Sequence, residues 1–361
     1  MSNGLPPHGG NLSQEARRLG IPSSQLLDAS ASLVPFRPPR ILRRALKVAI
    51  QSPALRDYPD RGQADLRAAI ASWHGLDPEQ VLGGNGAAEL FTWAARDAAA
   101  CGLNALPQPG FADYSRALRC WGGATQGVPL PMEWSACWPQ PFPVVESPNR
   151  ADVIWITNPH NPTGQLWSRA SLEPLLETHA LVICDEAFLP LVPAGEDQSL
   201  LPLVARHSNL IVIRSLTKLF AIAGLRLGYA VAAPERLHRW SGWRDPWPVN
   251  GLATAAGVAV LNTPWALRRW QGRVQQWVQE EGAWFRSRLQ GLAGITAYPS
   301  AANYLLIQGD QSLLERRENV ARQGVLLRDC RSFAGLGESW LRIGLQDRRG
   351  NRRILRSLGR T

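Results

Sequence analysis

Three short, uninterrupted apolar runs limit the fold more than anything else in the chain: Val153-Ile154-Trp155-Ile156, Leu181-Val182-Ile183-Cys184 and Leu210-Ile211-Val212-Ile213. A strand with one wet face alternates apolar and polar residues, whereas a strand covered on both faces carries no polar position. Runs of this kind between helical stretches predict a mostly parallel sheet sandwiched by helices. Each run stops at polar residues: Asn158 and its neighbours up to Gly164, Asp185-Glu186, and Arg214-Ser215. The carboxyl edge of an open α/β sheet is where ligands bind, so these residues are the first functional candidates.

With 361 residues, 45% of them hydrophobic and 19% charged, the chain can bury a large core and suggests about two domains. Residues up to about 39 read as an irregular arm rich in Pro, Gly and Ser. Helical patterns cover 40–52, 63–73, 87–100, 113–120 and 169–177, with a short strand at 105–107. A helix-rich region runs from about 250 to 292, followed by short strands at 304–307, 325–327 and 341–343. The expected division is an arm joined to a small domain (1–45), a large domain (46–255) and a C-terminal α+β domain (256–361).

The formal charge of +10 points first to a polyanionic partner. Yet only two of the 39 basic residues are lysines, Lys47 and Lys218, and the arginines are dispersed. They concentrate only in the tail, where Ile354, Leu355 and Leu358 form a stripe that predicts a solvated terminal helix. A small anionic substrate is therefore expected before a nucleic acid. Five scattered cysteines with no C-x-x-C spacing suggest neither disulfides nor a zinc site, and fit a reducing cytoplasm. The opening MSNGLPPHGG has no targeting pattern and no stretch is apolar enough to span a bilayer, so a soluble protein is expected.

Lys218 lies just beyond the third apolar run, in a chain that has discarded nearly all its lysines. A Schiff-base lysine must be unprotonated part of the time, which calls for a desolvated, positively biased setting; Arg214 and Arg226 are near in sequence. Lys47, beside Arg43 and Arg44 on an amphipathic helix, reads as a surface lysine. Pyridoxal 5'-phosphate (PLP) chemistry also needs a carboxylate at the pyridinium nitrogen, and Asp185 ends the second run; a turn or cap role fits that position equally well. A phosphate needs backbone N–H groups, a helix N-terminus and an arginine. Gly83-Gly84-Asn85-Gly86-Ala87 before a helix supplies the first two, and Ser215, Thr217 and Arg226 can complete the cup. Asn161 can donate to a phenolic oxygen, although Asn-Pro and Thr-Gly are turn formers anyway. Phe111 can stack on a ring or simply fill a core.

Taken in order, Asn158-Pro159-His160-Asn161-Pro162-Thr163-Gly164, Asp185-Glu186-Ala187-Phe188, Ser215-Leu216-Thr217-Lys218 and Gly224-Leu225-Arg226-Leu227-Gly228-Tyr229 resemble the class I/II aminotransferase family of fold-type I PLP enzymes. The resemblance covers essentially the whole chain. It implies a large domain with a mixed, mostly parallel sheet between helices and a smaller α+β domain. The opening His8-Gly9-Gly10-Asn11, with Tyr58-Pro59-Asp60, Pro109-Gly110-Phe111-Ala112-Asp113-Tyr114 and Ala302-Asn303-Tyr304, is similar to the threonine-phosphate decarboxylase branch, which serves cobalamin biosynthesis. Histidinol-phosphate aminotransferases are the neighbouring branch and the alternative activity. The resemblance implies Lys218 as the Schiff-base lysine, Asp185 as the pyridinium partner and Asn161 at the phenolic oxygen. It implies Asn85, Gly86, Ala87, Ser215 and Arg226 around the cofactor phosphate, with Phe111 stacked on the ring. Tyr58 would reach that phosphate from a second subunit, implying a homodimer with shared sites. Arg342 would bind the substrate carboxylate, and His8 and Arg328 the phosphate side. Two departures stand out: Ser30-Ala31-Ser32-Leu33-Val34-Pro35-Phe36-Arg37 replaces the decarboxylase branch's Ser-Ala-Asn-Ile-Asn-Pro-Leu-Gly, and Phe188 stands where aminotransferases usually carry tyrosine, a feature the decarboxylase branch shares.

Overall fold

The computed structural model describes residues 8–143 and 150–360; residues 1–7 of the N-terminal arm lie outside this range. The strands in chain order are β1 (Leu27–Asp28), β2 (Val81–Asn85), β3 (Asn104–Gln108), β4 (Thr125–Pro129), β5 (Val153–Thr157), β6 (Leu181–Asp185), β7 (Leu210–Ser215), β8 (Leu227–Val231), β9 (Ile295–Ala297), β10 (Tyr304–Gly309), β11 (Val325–Leu326), β12 (Arg328–Asp329) and β13 (Trp340–Gly344). Seven of these form one sheet in the order β2-β8-β7-β6-β5-β3-β4. Neighbours are parallel throughout except at β8, which runs against both β2 and β7.

The three apolar runs are the adjacent strands β5, β6 and β7, and every one of their residues is buried. Alternate side chains enter different cores. Leu210 and Val212 pack with Ile70 and Ala253, whereas Ile211 and Ile213 pack with Leu90, Ala94 and Trp240. Both faces are covered, which is why no polar residue interrupts the runs. The register sets Thr157 opposite Asp185 and Asp185 opposite Ile213, so the residues that end the strands gather at one edge.

The antiparallel strand β8 goes beyond the sequence reading, which treated Leu227-Gly228-Tyr229 only as a motif. Gly228 is what allows it. A Cβ there would lie 2.7 Å from Ala87 N and 2.8 Å from Arg214 O, both backbone atoms, so helix Ala87–Cys101 and β7 can approach only across a glycine.

A second, antiparallel sheet has the order β12-β13-β10-β9. The arm is tied to this half of the chain, because β1 pairs in parallel with β11 and Gly344 N donates to Ala29 O at 2.8 Å. Two expectations are corrected. The arm is not irregular throughout: Leu12–Leu19 is a helix closed by Gly20 at φ +66°, and it buries no residue, so apolar periodicity could not reveal it. The helix expected over 169–177 is two single turns, Arg169–Leu172 and Leu175–Thr178, because Pro174 has no N–H to continue the first. The terminal helix is present at Arg348–Leu358. No helix among the described residues is long and apolar enough to cross a membrane.

Beside the strand ends lies a buried charge network. Arg214 meets Glu186 at 2.7 Å and Glu196 at 2.8 Å, and its Nη2 donates to Ser199 Oγ at 2.8 Å. Glu186 also accepts from Ser199 Oγ and from Leu200 N, at 2.8 and 2.7 Å. Removing one partner of such a buried pair leaves an uncompensated charge and costs about 3–5 kcal/mol. Arg214→Ala is therefore expected to lower the unfolding free energy by about 3–5 kcal/mol in a denaturant titration. Lys47→Ala, on an exposed helix face, should change it by less than about 0.5 kcal/mol.

Candidate active site

The carboxyl ends of β5, β6 and β7 open into a cavity of about 320 Å³. Its lining includes Lys218, Asp185, Asn161, Ser215, Arg226 and Ala87, together with Phe111, His8, Arg328 and Arg342. Asn85, Gly86 and Tyr58 are not part of that lining.

Beyond β7 the chain turns directly into the helix Leu216–Leu219, which carries Lys218 into the cavity. Burial disfavours the ammonium form, and the charges of Arg342 and Arg226 repel it, so its pKa falls to about 8 against the pull of Asp185. The expected positive setting exists, but its source differs. Arg214 is paired with Glu186 and Glu196 instead; Arg342, distant in sequence, takes the part expected of it at Lys218.

Asp185 sits where β6 ends, with Oδ2 accepting from Tyr114 Oη at 2.7 Å and Oδ1 from Ala187 N at 2.9 Å. Burial raises its pKa to about 6, while these two hydrogen bonds and Lys218 hold it down. Tyr114 also bonds Thr157 Oγ1 at 2.8 Å and stacks on Trp155 at 5.0 Å, so its hydroxyl is fixed. Sequence reasoning gave Tyr114 no role. Only its place one helical turn after Phe111 hinted that it lies near the same site.

Gly86, at φ +74°, leads into helix Ala87–Cys101, whose first N–H groups have no side-chain cap. A Cβ on Gly86 would fall within 2.3 Å of Arg226 Nη2, so the guanidinium lies against this turn. Ser215 pairs with Gly228 across the sheet, Gly228 abuts Ala87 N, and Ser215 Oγ meets Thr217 Oγ1 at 2.6 Å. An uncapped helix N-terminus, two hydroxyls and a guanidinium thus converge, a set suited to a phosphate. Asn85 ends β2 exposed, with its backbone N–H on Glu89 Oε2 at 2.7 Å.

Arg342, buried on β13, donates from Nη1 to Asn161 Oδ1 at 2.5 Å and from Nη2 to Ser30 O at 3.2 Å. With Oδ1 engaged, the amide N–H groups of Asn161 remain as donors for a ligand oxygen. Directly opposite Arg342, on β12, stands Arg328. Burial, and then the charge of Arg342, pushes the Arg328 pKa down to about 10. His8 lies 3.8 Å from Asp113 and 5.4 Å, ring to ring, from Phe111; burial lowers its pKa while Asp113 opposes. Phe188 packs edge-on against Tyr304 at 5.1 Å. Tyr58 is 77% exposed and stacks on Trp247 at 4.2 Å, outside the cavity of its own chain.

The altered loop divides in two. Ser30, Ala31 and Ser32 line the cavity. Val34 is buried, and Phe36 packs against Trp270 and Trp277 at 6.0 and 5.5 Å. Of the two residues that replace the usual asparagines, Ser32 thus lines the cavity and Val34 packs in the core, while Phe36 stands where the pattern has leucine.

The depressed Lys218 pKa has a measurable consequence. A lysine whose folded pKa is below its unfolded value binds fewer protons when folded, so stability rises with pH between the two. Cofactor-free protein is expected to gain unfolding free energy between pH of about 8 and about 10.5, and Lys218→Met should remove that gain. Chemical denaturation of both proteins across that range checks it; parallel curves would contradict the burial of the amine.

Comparison with known proteins bears on this geometry. The model of the family "Aminotransferase class I and II" matches residues 23–358. The threonine-phosphate decarboxylase of Salmonella typhimurium is 33% identical, covering 97% of this chain and 95% of that protein. A histidinol-phosphate aminotransferase of Symbiobacterium thermophilum is also 33% identical, over 83% of this chain and 81% of its own length. The solved histidinol-phosphate aminotransferase from Sinorhizobium meliloti, in complex with PLP, superposes with a TM-score of 0.81 at 18% identity, covering 100% of this chain and 97% of that one. The sheet order, the position of Lys218 beyond β7 and these matches agree, and the chain belongs to the class I and II aminotransferase family with the fold-type I architecture.

Proposed function

We propose that this chain is a PLP-dependent decarboxylase of L-threonine O-3-phosphate, releasing carbon dioxide and (R)-1-aminopropan-2-yl phosphate for cobalamin biosynthesis. The observation that carries the substrate class is Arg328 directly opposite Arg342 in the cavity that Lys218 and Asp185 also line. Two buried guanidiniums in register repel each other, and a ligand with a carboxylate and a phosphate would offset that repulsion. Support for the reaction comes from the Salmonella relative, similar along nearly its whole length.

The residues present fit PLP. Lys218 is the buried amine for its aldehyde, and a usable fraction of that amine is unprotonated near neutral pH. Asp185, fixed by Tyr114 and Ala187, is the acid to hold a proton on the ring nitrogen. The uncapped N-terminus at Ala87, with Gly86, Ser215, Thr217 and Arg226, suits the phosphate, with Asn85 beside it, and Phe111 offers a ring face. Asn161, oriented by Arg342, suits the phenolic oxygen. When bound, PLP supplies an electron sink conjugated to the substrate Cα. Arg342 would hold the carboxylate side of the substrate, and Arg328 with His8 the phosphate. Together they would fix which bond at Cα stands perpendicular to the ring. Lys218 Nζ, 5.6 Å from the centre of the Phe188 ring, would return a proton to Cα beside an apolar wall rather than a phenol.

The reading includes a homodimer. Val48, Ile50, Leu55 and Tyr58 are 54–77% exposed on the helix Arg40–Gln51 and the turn after it, beside a groove lined by Ile41, Ala45 and Ala259. A second copy covering this face would bring Tyr58 toward its neighbour's phosphate site. A reducing, cytoplasmic setting fits the five cysteines, all of them free.

A second reading keeps the site and moves the chemistry. The Symbiobacterium relative, equally identical over a smaller share, favours transamination of a phosphorylated amine. Purified protein with PLP is expected to release carbon dioxide from L-threonine O-3-phosphate, and Lys218→Ala to reduce that rate by at least about 100-fold. With 2-oxoglutarate added, its conversion to glutamate at the expense of the phosphorylated amine, and no carbon dioxide, would shift the assignment to the aminotransferase. Sedimentation should give a species of twice 39.7 kDa, and Leu55→Asp should dissociate it; a fully active monomer would refute the shared site.

A further inference from the structure

Arg328 and Arg342 are buried like charges facing each other on β12 and β13, in a setting where repulsion is stronger than in water. The turn that follows β12 supplies an offset. Phe333 N donates to Cys330 O at 2.9 Å and folds the chain back toward that strand. Ser332 Oγ accepts a hydrogen bond from Arg328 Nη2. The Phe333 ring, 2% exposed, has its centre 5.3 Å from Arg328 Cζ and 5.8 Å from Arg342 Cζ. Both separations lie within the range in which an aromatic face attracts a cation. Phe333 also lines the cavity.

We propose that the Ser332–Phe333 turn is a positioning device that holds the two guanidiniums at the spacing needed for two anionic groups of one ligand. It thereby sets the preference for phosphorylated over unphosphorylated compounds. The proposal rests on the anionic-substrate reading above. The choice of an aromatic follows from the chemistry. A carboxylate here would also offset the two cations, but it would repel the ligand's own anions and occupy the N–H groups that a phosphate needs. A ring face attracts the cations and occupies none of those groups. The plain alternative is packing, since Phe333 belongs to a cluster with Leu306, Cys330 and Leu336. A residue that only packs is replaceable by leucine, whereas one that acts through its π face is not.

The test uses ligands that carry no amine and so cannot react with the cofactor. Calorimetry on PLP-loaded protein would measure binding of 3-phosphoglycerate and of glycerate to wild type, Phe333→Leu, Phe333→Tyr and Ser332→Ala. Wild type is expected to prefer the phosphorylated compound. Phe333→Leu should lose about tenfold or more of that preference, while Phe333→Tyr keeps it to within about threefold. Ser332→Ala should shift it in the same direction as the leucine variant, which keeps the proposal testable if Phe333→Leu does not fold. PLP content should stay unchanged in all three variants. A wild type that does not distinguish the two ligands overturns the proposal, and so does a folded Phe333→Leu, or a Ser332→Ala, that retains the full preference. Because nothing reacts, failure of threonine-phosphate decarboxylation leaves this outcome separate.

Discussion

A primary amine held out of water beside a carboxylic acid is the condition on which the rest of this molecule depends. Lys218 and Asp185 lie at or just beyond the ends of neighbouring parallel strands, and neither strand has a wet face. Desolvation alone would drive both groups toward neutrality, the amine by losing a proton and the acid by gaining one. The surroundings correct this unequally. Tyr114 and Ala187 donate to the acid and keep its pKa near 6, whereas Arg342 and Arg226 push the amine further, to about 8. The result is an amine that can act as a nucleophile and an acid that can still carry charge.

The same cations serve more than one end. Arg342 depresses Lys218, orients Asn161 and faces Arg328; Arg226 depresses Lys218 and lies against the Gly86 turn. An anion bound at either arginine would therefore raise the lysine's affinity for a proton, coupling ligand binding to the state of the amine. Arg214 is kept out of this coupling by Glu186, Glu196 and Ser199, and its charge works instead on holding the chain around the ends of β6 and β7.

Much of this was legible in the sequence, because the strongest signals are local. Unbroken apolar runs gave β5, β6 and β7, and the residues that end them gave Asp185 and, just beyond, Lys218. The turn at Gly86 and the helix after it were readable from the glycine-rich run before Ala87. What escaped depends on contacts between distant segments. Arg342 lies 124 positions beyond Lys218, and no local pattern announces that it, rather than Arg214, adds to burial in depressing the amine's pKa. Tyr114 reads as an ordinary aromatic until the fold brings it to Asp185. β8 escaped because Leu227-Gly228-Tyr229 is too short and glycine-broken to read as more than a motif, when Gly228 marks a close backbone approach. The helix Leu12–Leu19 escaped because it buries nothing.

The central claim is that Lys218, and not Lys47, carries the cofactor. Reduction of PLP-loaded protein with borohydride, followed by proteolysis and mass spectrometry, fixes the cofactor to the lysine that holds it. The account predicts the added mass on the peptide containing Lys218 alone. A label on Lys47, or no label on either lysine, would contradict it.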